Sequence, residues 1–329
     1  MTACCRYRRA FHLTDRMQAS MLKRLVGSVL DLAFDAPVRA ASSQELEYQA
    51  ELRAKFQQLP VLDTSSAPPS EAQWLRNVDR LRKHVLNDDA RQFLRWDVIA
   101  ETMSVSYARY AYKELKYLRG LPTWDRWREA IGEIGTGHPV RYPLYPASSG
   151  ITIHHAYHLA QFEEKTGAKI SDMNCVFEFG GGYGNLCRLV HRLGFKGRYV
   201  LFDLPAFSAL QCYYFKTVRV LDVSCQSDFH QLEMALREFS GNRLFIATWS
   251  LSETPLTTRI PVLKLLREFE HFLIAYQDRF GEVDNLDFFN RWKDSTKAAW
   301  HSWPIAHLPG NHYMIGTPLS RLSEARSSR

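Results

Sequence analysis

The hydrophobic and polar positions of this chain follow two regimes. From residue 41 to about 119, apolar side chains recur at three- and four-residue steps, as in helices that bury one face. The first run covers 41–58, with Ser42 and Ser43 ahead of Glu45 as a capping box. Leu59-Pro60 and Ser65–Ser70 interrupt it as a linker. Trp74, Leu75, Val78, Leu81 and Val85 then share a face. A helical stretch over 89–119 puts Phe93, Trp96, Ile99 and Met103 on one stripe and continues through Tyr107, Tyr110, Tyr112 and Tyr117. Gly132–Pro146 is too rich in Gly and Pro for regular structure.

Beyond residue 148 short apolar runs alternate with helical ones. Ser148 opens a helix to about Thr166. Strands are predicted at Cys175–Phe179, Arg198–Asp203, Val218–Asp222, Leu244–Leu251 and Phe272–Tyr276. Helices follow Gly184 and cover Phe207–Phe215, Gln231–Phe239 and Thr257–Phe269. Ile305–His307 and His312–Ile315 read as a terminal antiparallel pair around Pro309-Gly-Asn311. This series predicts an α/β fold, a doubly wound sheet with a closing antiparallel hairpin, preceded by a mainly α-helical N-terminal region. It divides the chain into an arm (1–40), a helical region (41–147), a main domain (148–319) and a disordered tail (320–329). The helical region would cap the site or make a homodimer.

One stretch carries most of the chemistry: Cys175-Val-Phe-Glu-Phe-Gly-Gly-Gly-Tyr-Gly-Asn-Leu186. A buried strand meets four glycines in five residues, then the start of a helix. Such a turn lets the backbone lie close to a ligand. A dinucleotide site needs G-x-G-x-x-G, but counting from Gly180 the third glycine falls on Asn185. No Gly-Lys-Ser/Thr follows, so a P-loop fails as well. The next strand ends in Asp203, about where an acid reaches a ribose hydroxyl pair. The ligand expected is a nucleoside without a pyrophosphate.

Glu178–Gly184 followed by Asp203 resembles the first two motifs of class I S-adenosylmethionine (SAM)-dependent methyltransferases. The longer match, Phe177-Glu-Phe-Gly-Gly-Gly-Tyr-Gly-Asn-Leu, Tyr199-Val-Leu-Phe-Asp-Leu-Pro and Ala209-Leu-Gln-Cys-Tyr-Tyr, resembles the putative sugar O-methyltransferase family over about Tyr142 to Thr317. The resemblance implies a Rossmann-like fold and SAM as cofactor, held by Glu178, Gly180, Gly181, Gly182, Tyr183, Gly184, Asp203, Leu204, Asp222 and Ser250. The glycine loop would hold the methionine part, Asp203 the ribose, and Asp222 or its neighbours the border of the adenine. Glu178 would brace the loop or meet the ammonium. Thr248–Glu253 would border the methyl group and a sugar-containing small molecule, glycolipid or glycan as acceptor.

Methyl transfer from a sulfonium needs the acceptor oxygen about 3–3.5 Å from the methyl carbon and a base for its proton. The candidate bases are His155 and His154 first, then Glu253, then His312; a histidine suits by its ordinary pKa. His154 and His158 share a helical face, but without a third ligand they make no metal motif. No metal ligands are assigned, although Asp278 or Glu253 would be placed to aid a divalent ion. An NAD-type enzyme and a non-catalytic binding module on the same fold are the alternatives.

Composition changes this picture little. The 329 residues are 46% hydrophobic and 13% aromatic, enough for a sizeable core. The net charge of +7 is spread out, with no nucleic-acid-binding signature, so no nucleic-acid partner is expected. The six cysteines form no C-x-x-C pair and fit a reducing cytoplasm. No apolar stretch approaches a membrane span. Met21–Phe34 is amphipathic, but Ser28 and Asp31 interrupt the apolar core a signal peptide would need.

Overall fold

The computed structural model describes residues 37–60, 69–105, 109–296 and 298–319. The expectations for the arm before residue 37, for Tyr107 and for the tail from 320 lie outside these residues. The helical region contains α1 (Ser43–Gln58), α2 (Pro69–Asn87), a 3₁₀ turn (Ala90–Arg95), α3 (Asp97–Thr102), α4 (Arg109–Arg119) and α5 (Trp124–Ala130). The capping box forms as its residues require: Glu45 N–H donates to Ser42 Oγ at 3.2 Å, and Ser42 N–H to Glu45 Oε2 at 2.8 Å. The stretch expected as one helix over 89–119 is three pieces. Asp89 restarts the chain by accepting from Arg91 N–H at 3.0 Å, and Trp96 and Met103 leave helical geometry.

Next come β1 (Arg141–Tyr142), β2 (Tyr145–Ser149) and α6 (Gly150–Thr166). The first two pair as a ribbon that begins inside the stretch expected to lack regular structure and runs on to Ser149. The sheet region follows as β3 (Cys175–Phe179), α7 (Asn185–Arg192), β4 (Arg198–Phe202), α8 (Pro205–Val218), β5 (Val223–Gln226), α9 (Phe229–Arg237), β6 (Arg243–Thr248), α10 (Leu256–Leu265) and β7 (His271–Gln277). A small ribbon, β8 (Arg279–Phe280) and β9 (Val283–Asp284), leads to α11 (Asn285–Asp294), β10 (Ala298–Pro304) and β11 (Asn311–Pro318). Among the described residues no helix is long and apolar enough to cross a membrane.

Seven strands form one sheet in the order β10-β11-β7-β6-β3-β4-β5. Counted along the chain this is 3-2-1-4-5-7-6 with the seventh strand antiparallel, the predicted doubly wound sheet with its closing hairpin. Strand periodicity sorts the core into two layers. Val176, Tyr199, Leu201, Leu244, Ile246, Leu273 and Ala275 pack with the N-terminal helices and α6–α8. Cys175, Phe177, Val200, Phe202, Phe245 and Ile274 pack on α9, α10 and α11. The helical region therefore shares one continuous core with the sheet, from Leu52 and Phe56 to Ile315.

Two strands differ from expectation. The run Val218–Asp222 is not a strand. Helix α8 continues to Val218, Arg219 closes it in the left-handed region (φ 56), and β5 begins only at Val223. That strand is a half-buried sheet edge, so its apolar signal is weak. The closing hairpin is longer than predicted and its first strand lies earlier, because Ile305–Leu308 form the turn.

Candidate active site

A cavity of about 610 Å³ opens beyond the C-terminal ends of β3, β4, β5 and β6. This is the topological switch point, since β3 and β6 are neighbours from which the chain winds in opposite directions. The N-terminal helices close its other side with Trp74, Met103 and Tyr110. The glycine turn forms its floor. Gly180 has φ 70, and a Cβ there would lie 2.3 Å from Ser250 Cβ. A Cβ on Gly181 would lie 2.4 Å from Leu201 Cδ2. Only a backbone without side chains fits between these two strand ends.

Three carboxylates line the cavity. Glu178 faces the same side of the sheet as Tyr199, whose hydroxyl donates to Oε2 at 2.7 Å. Burial pushes its pKa up to about 7, with the Tyr199 bond opposing and the Asp203 charge adding to the rise. Asp203 follows β4 and accepts from Leu204 N–H at 2.8 Å and Gln211 Nε2 at 2.9 Å. Burial lifts it to about 7 despite those bonds. Glu253, on the 3₁₀ turn after β6, is raised to about 7 by burial. Eight Phe, Tyr and Trp rings join them, among them Phe202 and Phe229 with centroids 4.6 Å apart. No lysine or arginine side chain lines the cavity among the described residues. Such a lining suits a cation and disfavours a pyrophosphate.

The histidines occupy the far wall. His154 accepts a neighbour on each side: Glu114 Oε1 lies 2.8 Å from its Nδ1, and Trp249 stacks on its ring at 5.5 Å. Trp249 sits at φ 64, a strained conformation for a non-glycine residue at the end of β6. Its N–H donates to Ala275 O at 2.7 Å and its indole Nε1 to Asn311 Oδ1 at 2.6 Å. His155 is a poor base. Arg188 donates to Asn185 Oδ1 at 2.9 Å, which orients the amide so that Asn185 Nδ2 donates to His155 Nδ1 at 3.0 Å. The lone pair is thus engaged, and burial lowers this histidine to about 3, helped by the charges of His154 and Arg188.

The structure brings together His154, His155, Glu178, Gly180, Gly181, Gly182, Tyr183, Asp203, Leu204, Ser250 and Glu253 in the lining. Three expected residues stand elsewhere. Asp222 precedes β5, at the opposite end of the strands from the cavity, where its carbonyl accepts from Tyr199 N–H at 3.2 Å. The position expected for it falls to Ser227 and Phe229, beyond the other end of β5. Gly184 is the N-cap of α7, and its role is steric: a Cβ would lie 2.5 Å from Phe215 Cζ. His312 pairs with Asp278 at 2.5 Å outside the lining, so neither residue serves the cavity. Sequence reasoning missed Glu114, Ser227, Phe229 and His307, and it gave Trp249 only as part of the stretch Thr248–Glu253. Among the described residues no group of three His, Cys, Asp or Glu side chains is arranged to hold a metal.

The seven-stranded sheet with its closing antiparallel hairpin has the Rossmann-like fold that the sequence resemblance implied. Neither protein-family models nor curated proteins give a match to the sequence. Solved structures do resemble the chain. An rRNA methylase from Streptococcus thermophilus aligns at 14% identity and TM-score 0.37, over 51% of this chain and 96% of its own. An SAH-bound methyltransferase from Podospora anserina aligns at 11% and 0.34, over 67% and 93%. The fibrillarin pre-rRNA processing protein of Methanococcus jannaschii aligns at 10% and 0.36, over 45% and 67%. The expectation of a sugar-bearing acceptor and no nucleic acid is corrected here. Two of these three structures are by name proteins of ribosomal RNA, and none is named for a sugar.

Proposed function

We propose that the protein is a SAM-dependent methyltransferase in which His154 takes the acceptor's proton. The observation that carries this is the cavity's lining: three carboxylates of raised pKa, eight aromatic rings and no cationic side chain, on a side-chain-free turn at the switch point. A sulfonium and an ammonium fit there, and burial makes their attraction to the carboxylates strong. When bound, the donor supplies an electrophilic methyl group whose bond to sulfur breaks with its electron pair left on sulfur.

The protein's own groups do the rest. Asp203 grips the ribose hydroxyls, and the backbone from Gly180 to Gly182 follows the methionine part. Glu178 faces the ammonium, while Leu204, Ser227 and Phe229 border the adenine. What remains of the cavity, between Tyr110, His154, Trp249 and Glu253, receives the acceptor. The helical region acts as its lid, with Met103 placed over the glycine turn: a Cβ on Gly182 would lie 3.2 Å from Met103 Sδ. His154 accepts the acceptor's proton at Nε2, and Glu253, near neutrality in its own right, is the second group able to hold a proton there. A reducing, cytoplasmic setting belongs to this reading, since none of the four described cysteines is in a disulfide.

Calorimetry and thermal melts with SAM, its demethylated product SAH and NADH test the proposal. SAM and SAH bind and NADH does not; donor at about 100 times Kd adds about 2.7 kcal/mol of stability. No binding of SAM or SAH would leave a binding module on this fold, and preferential NADH binding would make the protein an NAD-type enzyme.

A further inference from the structure

A buried carboxylate shared by two histidines lies behind the cavity wall. Glu114 of α4 has no exposed surface. Its Oε1 is 2.8 Å from His154 Nδ1 and 2.8 Å from His307 Nε2. His154 belongs to α6 and His307 to the turn between β10 and β11, so three separate parts of the chain meet at one oxygen. The other oxygen, Oε2, has no hydrogen-bond partner among the described residues. Burial works to raise the Glu114 pKa, but the charges and hydrogen bonds of both histidines outweigh it and hold the carboxyl below its ordinary value. An ionised carboxylate offers only acceptors, so both facing ring nitrogens carry protons. Neutral His154 then has its hydrogen on Nδ1 and its lone pair on Nε2.

We propose that Glu114 is the positioning carboxylate that keeps His154 Nε2 ready for the acceptor's proton, and that His307 restrains this basicity by competing for the same oxygen. The inference rests on the reading of His154 as the base. In the reaction, the proton leaves the acceptor for Nε2. The acceptor's electron pair forms the bond to the methyl carbon, and the carbon–sulfur pair returns to sulfur. The resulting imidazolium stays against a negative oxygen in a dry interior, where the attraction is strong. A proton on His307 draws on that same charge, because both rings share Oε1.

The surrounding groups leave this balance alone. Tyr110 of α4 and Tyr157 of α6 are each pushed up to about 12 by burial and the Glu114 charge, and stay neutral. Tyr313 of β11 is likewise raised, chiefly by burial. His155 and His158 of α6 are held low by burial and stay uncharged near neutrality. The Trp249 face on His154 carries no titrating group.

Histidine NMR on the full-length, ¹⁵N-His-labelled protein, with and without SAH, tests this. Neutral wild-type His154 shows the Nδ1–H tautomer. Glu114→Gln weakens the hydrogen bond from Nδ1–H, moving its proton resonance upfield. His307→Ala moves it the other way, because the carboxylate is then left to His154 alone. A loss of packing would not produce opposite shifts from two neighbours of one ring. An Nε2–H tautomer in the wild type, which needs no variant, overturns the proposal; so do two shifts of the same sign or no shift. Melting curves and SAH calorimetry establish that each variant is folded. SAH failing to bind the wild type strikes the donor site alone, since the tautomer is read in its absence too.

Discussion

The raised pKa of Asp203 makes a quantitative statement about donor binding. Without ligand its carboxyl titrates near pH 7, because the cavity wall withholds water and the bonds from Leu204 and Gln211 do not fully compensate. An ordinary aspartate titrates near 3.9. Between these values the folded protein keeps a proton that the unfolded chain has lost, so stability falls as pH rises from about 4 to about 7 and levels off above. A ribose hydroxyl pair and a cation both favour the charged carboxylate. Donor affinity must therefore rise with pH through 7 and flatten above about 8.

For one group of pKa 7, the ionised fraction climbs from about 0.09 at pH 6 to about 0.91 at pH 8, a tenfold gain in affinity or about 1.4 kcal/mol. If Glu178, coupled to it by charge, must also ionise, the gain approaches a hundredfold. Calorimetry with SAH, which keeps both the ribose and the ammonium, should show the combined slope; Glu178→Gln should leave the Asp203 slope alone. Asp203→Asn should remove the Asp203 part of the SAH curve and weaken binding more than tenfold at pH 8. Its amide would face the Gln211 Nε2 donor, which is held in place by Gly182 O at 2.9 Å. A pH-independent affinity in the wild type, or full affinity in the variant, would refute the placement of the ribose on Asp203.

Two further outcomes follow from the same geometry. Phe229→Ala removes a ring that packs on Phe202 and borders the cavity, and should weaken SAM and SAH equally by several-fold, while Asp222→Ala leaves both affinities unchanged; equal losses would return Asp222 to the site. Gly180→Ala forces a Cβ to 2.3 Å from Ser250 at positive φ, and should cost about 1–3 kcal/mol of stability with loss of SAH binding. A normal melting temperature with normal SAH affinity would show that the turn relaxes and is not the tight cradle described here.

Much of this protein was legible along the chain. The alternation of strands and helices gave a doubly wound sheet because side-chain periodicity is a local property. The glycine turn and Asp203 were legible for the same reason: a sharp bend and an acid at a strand end need only neighbours in sequence. Where apolar content is a poor guide, the reading slipped. Val218–Asp222 looks like a strand but finishes a helix, whereas the half-buried edge strand Val223–Gln226 is polar enough to pass unnoticed. That displacement leaves Asp222 at the far end of β5 and brings Ser227 and Phe229 to the cavity. His154 and His155 are adjacent and of one residue type, yet Asn185 occupies the lone pair of one and Glu114 orients the other. Only the tertiary structure distinguishes them, because a histidine's chemistry is set by the groups that face its two nitrogens. Here those groups, Asn185 and Glu114, lie 30 and 40 residues along the chain from the rings they face.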